Sequence, residues 1–170
     1  NYINQKDFYK ENISNSNERV FVIISDALRY EVAVELRDML SSKIENNKIE
    51  LQAMLGNVPS YTRLGMASLL PHKDKLEYNS STILVAGADT ASTEQREKIL
   101  KAENEKSIAI QHDKFKTLGR NELREIVKGT EVVYIYHNAI DEAGDKASSE
   151  IDVFEACKKA ISEILEMVKY

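Results

Sequence analysis

The sequence alternates short apolar runs with longer segments of helical period, and this alternation restricts the fold more than any other feature. Val20–Ser25, VFVIIS, is a continuous apolar run of strand length, typical of a strand buried on both faces. The next segment, RYEVAVELRDMLSSKI, places Val32, Leu36 and Met39 on one helical face. Because this succession of a strand and a helix recurs along the chain, we predict an α/β fold around a mainly parallel sheet of about five strands.

The remaining elements follow from the same patterns. Further strands are predicted at 49–55, 82–87, 107–111 and 131–137, and further helices at 62–70, 92–105 and 120–129. The segment NAIDEAGDKA, 138–147, is interpreted as a loop. The last helix begins at Ser149, which has capping-box spacing to Asp152. Its predicted apolar stripe consists of Ile151, Phe154, Cys157, Ile161, Ile164 and Val168.

Length, charge and cysteine content narrow the class of protein. The 170 residues suffice for one domain, predicted at 19–170 after a polar lead-in at 1–18. The first residue is not Met and the last helix has no polar tail, so we interpret the chain as part of a longer protein. A single cysteine, Cys157, excludes an internal disulfide and favours a cytoplasmic location. The net charge of −5 argues weakly against a broad nucleic-acid surface, and no apolar run is long enough to cross a membrane.

Polar residues with metal and phosphate chemistry follow the predicted strands. Asp26 comes directly after Val20–Ser25, Thr62 begins a short helix, and Asp141 and Asp145 follow the last strand. Parallel strands bring their carboxyl ends to one edge of a sheet, so these groups are expected to share a cleft. Carboxylates are hard ligands for divalent cations, and a metal beside a threonine hydroxyl lowers its pKa. The residues therefore predict metal-assisted phosphoryl or sulfuryl transfer.

Three segments carry a family resemblance: VFVIISDALRYEVAVEL, PSYTRLGMASLLP and VVYIYHNAIDEAGDKA. In this order they resemble the PglZ family, the phosphatase-type component of BREX phage-defence systems within the alkaline phosphatase superfamily. The resemblance implies a three-layer sandwich with a mainly parallel sheet, here a truncated alkaline-phosphatase-like core. It implies Thr62 as the nucleophile and a metal ligand, and Asp26, Asp141 and Asp145 as metal ligands.

The resemblance also sets the expected cofactors and partners. A complete domain would hold two divalent ions, Zn, Mn or Mg, and act on a phosphate ester, a monoester or a diester such as a nucleic acid. Other phage-defence proteins are expected partners. Asp145 stands where the superfamily often has His, and nothing after it resembles the later Asp–His pair or final His of that superfamily. The chain alone is therefore expected to be metal-poor and inactive.

Each of these residues has an alternative interpretation. Asp26 and Thr62 can act as helix caps, and Asp141 and Asp145 can serve a turn. In that case the carboxylates would have a structural role, and the domain would be a non-catalytic interaction module of a defence complex. His137 is expected to be a buried, hydrogen-bonded residue. His72 and His112 have no motif spacing and are expected on the surface or in loops.

Overall fold

The computed structural model describes residues 2–45, 48–73, 76–79, 81–146 and 149–169. The strands are β1 (Ile3–Asn4), β2 (Val20–Ser25), β3 (Met54–Leu55), β4 (Leu76–Asn79), β5 (Thr82–Val85), β6 (Ala88–Asp89), β7 (Ser107–Gln111) and β8 (Val132–His137). The helices are α1 (Phe8–Asn12), α2 (Tyr30–Lys43), α3 (Thr62–Ser68), α4 (Thr93–Glu103), α5 (His112–Thr117), α6 (Arg120–Val127), α7 (Ala139–Lys146) and α8 (Glu150–Val168).

The chain divides into two compact units. The first unit consists of Asn1–Val22 and Ala53–Tyr136, and the second of Ile23–Gln52 and His137–Tyr170. Each unit has buried apolar residues of its own.

A parallel sheet of order β2-β8-β7 confirms the predicted α/β class. All six residues of β8 are buried, as expected for a central strand rich in β-branched and aromatic side chains. β7 runs parallel to β8. The amides of Val20 and Asp26 donate to the carbonyls of Glu131 and His137, and because both positions advance together, β2 is parallel to β8 as well. This sheet therefore has three strands among the described residues, fewer than the five predicted.

The other predicted strands lie elsewhere. The run at 82–87 ends at Val85 and belongs to an antiparallel sheet of order β4-β5-β6. Ala86 (φ 49°) and Gly87 (φ 81°) make the two-residue turn into β6, where two positive φ angles suit a tight hairpin. The run at 49–55 forms a strand only at β3, which pairs in parallel with β1. An apolar run indicates a strand without indicating its neighbour, which explains both differences.

The core of the second unit forms where α8 packs against α2 and α7. Buried residues from these helices make one cluster: Val32, Ile140, Cys157, Ala160, Ile161 and Leu165. The predicted stripe of α8 is thus confirmed in its centre. It is wrong at its ends, where Ile151, Phe154 and Val168 are 67%, 60% and 44% exposed.

The core of the first unit contains the fully buried side chains of Leu70, Ile83, Leu100 and Tyr134. The Tyr134 hydroxyl, which belongs to a buried side chain, donates a 2.6 Å hydrogen bond to the carbonyl of the half-buried Leu69.

Candidate active site

Asp26 lies at the carboxyl end of β2, in a turn whose geometry is unusual. Its Oδ1 accepts a 3.0 Å hydrogen bond from the amide of Ala27, and its own amide donates to the His137 carbonyl at 2.9 Å. Ala27 has a φ of 60°, a left-handed conformation that is costly for a residue other than glycine. The turn therefore places a half-buried carboxylate at the ends of two adjacent parallel strands.

Asp141 and Asp145 lie on a helix, so the predicted loop at 138–147 is wrong. They belong to α7, which begins two residues after β8 ends. Residues four apart share one helical face, and two like charges there slightly destabilise a helix unless a cation offsets them. Asp141 is half-buried and lies in the first turn of α7, where the helix dipole stabilises a negative charge. Asp145 is exposed.

Thr62 is the first residue of α3, as predicted, and is exposed. It belongs to the first unit, whereas Asp26, Asp141 and Asp145 belong to the second. The side chain of the adjacent Arg63 donates to the Ser81 carbonyl at 2.6 Å. The start of the helix is confirmed, and the role of Thr62 as a nucleophile stays a prediction.

A buried polar chain, which we call the Ser25–His137–Glu163 chain, lies beside Asp26 in the second unit. Ser25 Oγ is 2.9 Å from His137 Nδ1, and His137 Nε2 is 2.8 Å from Glu163 Oε2. The His137 side chain is completely buried and that of Glu163 is 11% exposed. The expectation of a buried, hydrogen-bonded His137 is confirmed. The sequence analysis missed Ser25 and Glu163; a charged residue within the apolar stripe of α8 was the available signal.

The other two histidines are also buried: His72 lies in a loop, as one of the two expected locations had it, whereas His112 lies on a helix and corrects the expectation. His72 and His112 are each 5% exposed. His72 Nε2 lies 2.8 Å from the Lys6 carbonyl, to which it can donate. His112 begins α5, directly after β7. Lack of motif spacing therefore did not indicate exposure.

Two cavities of about 410 and 240 Å³ lie in the first unit, and none of the predicted site residues lines either of them. The larger is lined by Val20 and Val132, the first residues of β2 and β8. Open α/β sheets bind ligands at the carboxyl ends of their strands. Neither cavity is therefore the candidate active site.

Residues 7–170 match the family model described as "BREX system PglZ alkaline phosphatase-like domain". The chain belongs to the PglZ family. This match confirms the resemblance inferred from the three segments, and it extends over nearly the whole chain.

Two relatives show how much of a PglZ-family protein the chain represents. It is 42% identical over 167 residues to the "Alkaline phosphatase-like protein PglZ" of Bacillus cereus (strain H3081.97). It is 43% identical over 172 residues to the "Alkaline phosphatase-like protein BrxZ" of Escherichia coli O9:H4 (strain HS). Each match covers 96% of this chain and 19% of the relative. No solved structure gives a significant match.

Proposed function

We propose that this PglZ domain contributes part of the active site of a metal-dependent phosphoryl-transfer hydrolase in a bacterial phage-defence system. One observation carries the proposal. Asp26 directly follows β2, and its amide donates to the carbonyl of the last residue of the adjacent β8. The helix that holds Asp141 and Asp145 begins two residues after β8 ends. Carboxylates at neighbouring strand ends, in a family described as alkaline phosphatase-like, support a metal-centred hydrolase.

The donor set suits the proposed cofactors. Asp26, Asp141 and Asp145 offer carboxylate oxygens, which Mg²⁺ and Mn²⁺ prefer, whereas Zn²⁺ is favoured where histidine joins them. A bound divalent ion would supply Lewis-acid activation of a hydroxyl. In this proposal, Asp26, Asp141 and Asp145 would hold the ions. The Thr62 hydroxyl loses its proton to solvent and attacks the phosphorus, the bond to the alcohol of the ester breaks, and water then releases phosphate from Thr62.

The chain supplies these groups but not the whole set that the superfamily uses. The later Asp–His pair and final His have no counterpart after Asp145, and the relatives are several times longer than this chain. We propose that the missing ligands come from further sequence, so that the 170 residues alone have negligible turnover.

The proposed substrate is a phosphate monoester or diester, and the proposed partners are other phage-defence proteins in the cytoplasm. Within the described residues, no helix combines the length and apolarity that crossing a membrane requires.

Hydrolysis of a generic phosphomonoester and phosphodiester by the full-length protein, with Mn²⁺, Mg²⁺ or Zn²⁺ in turn, tests the proposal. Removal of a nucleophile or its metal ligand eliminates the reactive group, so Thr62→Ala and Asp26→Ala should each lower kcat by about a thousandfold or more. Thr62→Ser should keep measurable activity because it retains the hydroxyl.

Two exposed residues serve as matched controls. Thr117→Ala removes a threonine at another helix end, and Asp38→Ala removes a carboxylate paired with Arg37; neither should change kcat. Metal-independent turnover, or full activity in Thr62→Ala, contradicts the assignment. No turnover with any metal in a folded protein would favour the non-catalytic interaction module instead.

A further inference from the structure

The Ser25–His137–Glu163 chain joins the last residues of two strands to a helix, and all three residues belong to the second unit. Ser25 is the last residue of β2, His137 is the last residue of β8, and Glu163 lies on α8. Burial of a carboxylate and an imidazole is costly unless both are hydrogen-bonded, and here each contacts the other at 2.8 Å. Lys159 Nζ lies 3.9 Å from the second carboxylate oxygen of Glu163 and adds a weaker ion pair.

For an ionised Glu163 and a neutral His137, the two contacts allow one direction for each hydrogen bond. An ionised Glu163 can only accept, so His137 Nε2 must donate to it. In the neutral imidazole Nδ1 is then an acceptor, and the Ser25 hydroxyl donates to it. Glu163 thereby selects one tautomer of His137, and that tautomer orients Ser25.

Asp26 follows Ser25 directly and is bonded to the main chain of His137. The chain of side chains therefore holds the two strand ends at the point where Asp26 leaves the sheet. Ala27, the next residue, keeps its left-handed φ of 60° only if its surroundings impose that conformation. The buried hydrogen bonds of the Ser25–His137–Glu163 chain can restrain the backbone at the end of β2 and so keep Ala27 in this conformation.

We propose that Glu163, His137 and Ser25 are positioning residues that hold the Asp26 turn in its metal-binding conformation. The inference rests on the proposed function, because it assigns a purpose to the orientation of Asp26. Groups that orient metal ligands without touching the metal commonly change metal affinity by 10- to 100-fold when they are removed.

The first experiment tests the hydrogen-bond chain without any metal. Nitrogen-15 NMR of His137 should show a protonated Nε2 and an unprotonated Nδ1 in the unaltered protein. Glu163→Gln retains an acceptor and should preserve this tautomer, whereas Glu163→Leu should abolish the preference. Lys159→Met leaves the chain of hydrogen bonds intact and should change nothing. A protonated Nδ1 with an unprotonated Nε2 in the unaltered protein would overturn the inference.

The second experiment uses Mn²⁺ alone as the probe. Paramagnetic broadening of the Ala27 amide signal measures even weak binding and needs no turnover. Ser25→Ala and Glu163→Leu should each weaken the apparent Mn²⁺ affinity about tenfold or more, and Glu163→Gln should restore most of it. Ser25→Ala, a small change at a half-buried site, keeps the test valid if Glu163→Leu does not fold.

The Asp26→Ala variant separates the two proposals. If it leaves Mn²⁺ broadening unchanged, Asp26 is not a ligand, and the proposed function fails together with this inference. If Asp26→Ala abolishes the broadening while folded Ser25→Ala and Glu163→Leu proteins bind Mn²⁺ as the unaltered chain does, only the positioning role is wrong.

Discussion

Two tyrosines of β8 have similar burial but opposite hydrogen-bond environments. The Tyr134 hydroxyl donates to the Leu69 carbonyl, whereas the buried Tyr136 hydroxyl makes no hydrogen bond within the described part of the chain. The guanidinium of Arg96 lies 4.7 Å from the centre of the Tyr136 ring. Burial raises the pKa of Tyr136 to about 12, although the Arg96 charge opposes this shift. Burial raises the pKa of Tyr134 as well.

Replacement of each tyrosine by phenylalanine should separate these environments. At pH 7, Tyr134→Phe should cost about 1 kcal/mol of unfolding free energy because it removes the hydrogen bond to the half-buried Leu69 carbonyl, whereas Tyr136→Phe should cost almost nothing. Because the pKa of Tyr136 is higher in the folded than in the unfolded chain, its neutral form favours folding. This contribution to the free energy of unfolding is fully present below pH 10, the ordinary pKa of tyrosine, and is lost as pH rises through about 12. Tyr136→Phe should therefore lose less stability over that interval.

Urea unfolding at pH 7 and at several pH values from 10 to 12 measures both effects. The pKa change corresponds to roughly 3 kcal/mol as an upper limit on the alkaline loss due to Tyr136. A cost of more than about 1 kcal/mol for Tyr136→Phe at pH 7 would show that its hydroxyl is hydrogen-bonded after all.

The site residues illustrate what sequence can predict at this scale. Asp26 was placed correctly at a strand end because an apolar run followed by an acid indicates that position locally. The Ser25–His137–Glu163 chain joins positions 112 and 26 residues apart, and no periodicity relates them. Only the pairing of β2 with β8, and the packing of α8, brings these three side chains together.

At the scale of elements, helices with strong end signals were predicted best. The helix α4 was expected to begin at Ser92 or Thr93, and it begins with a capping box at Ser92. The Gln95 amide donates to Ser92 Oγ, and the Ser92 amide donates to Gln95 Oε1. The helix α7 was missed because Gly144 and its acidic residues resemble a loop. Ile140 of α7 is buried in the core against α8, and this tertiary contact outweighs weak local propensity.

The capping box of α4 gives a stability prediction. Ser92→Ala removes the acceptor for the Gln95 amide and should lower the free energy of unfolding by about 1 kcal/mol. Ser41→Ala is a matched control, since Ser41 is an exposed serine inside α2 that bonds back to the Arg37 carbonyl. Alanine is a better helix former there, so that change should be neutral or slightly stabilising. Equal losses in thermal or urea unfolding of the two variants would contradict the capping role.

At the scale of the whole molecule, the α/β class followed from the alternation of strands and helices, but the number of strands in each sheet did not. Local pattern predicts β2, β7 and β8, whose order is set by crossover connections rather than by their own residues. The three-layer arrangement stays a prediction. So do the domain limits, although the PglZ family match already begins at residue 7, within the predicted lead-in.

One edge of the parallel sheet leads to a prediction about association. Among the described residues β2 has a partner on one side alone, and Phe21 within it is 49% exposed. An unpaired, apolar edge strand can pair with another chain, and a charged residue on the edge opposes this. We expect the 170-residue chain to self-associate with rising concentration, and we expect Phe21→Lys to reduce that association.

Light scattering across a range of concentrations measures this directly. Tyr30→Lys is the matched control, because Tyr30 is a 66% exposed aromatic residue that lies on α2 and not on the strand. It should leave the association unchanged if β2 is the contact, since only a charge on the edge strand interferes with strand pairing. A mass of one chain at every concentration would contradict the prediction. Association that both lysine variants reduce equally would indicate a general response to added charge, with no special role for β2.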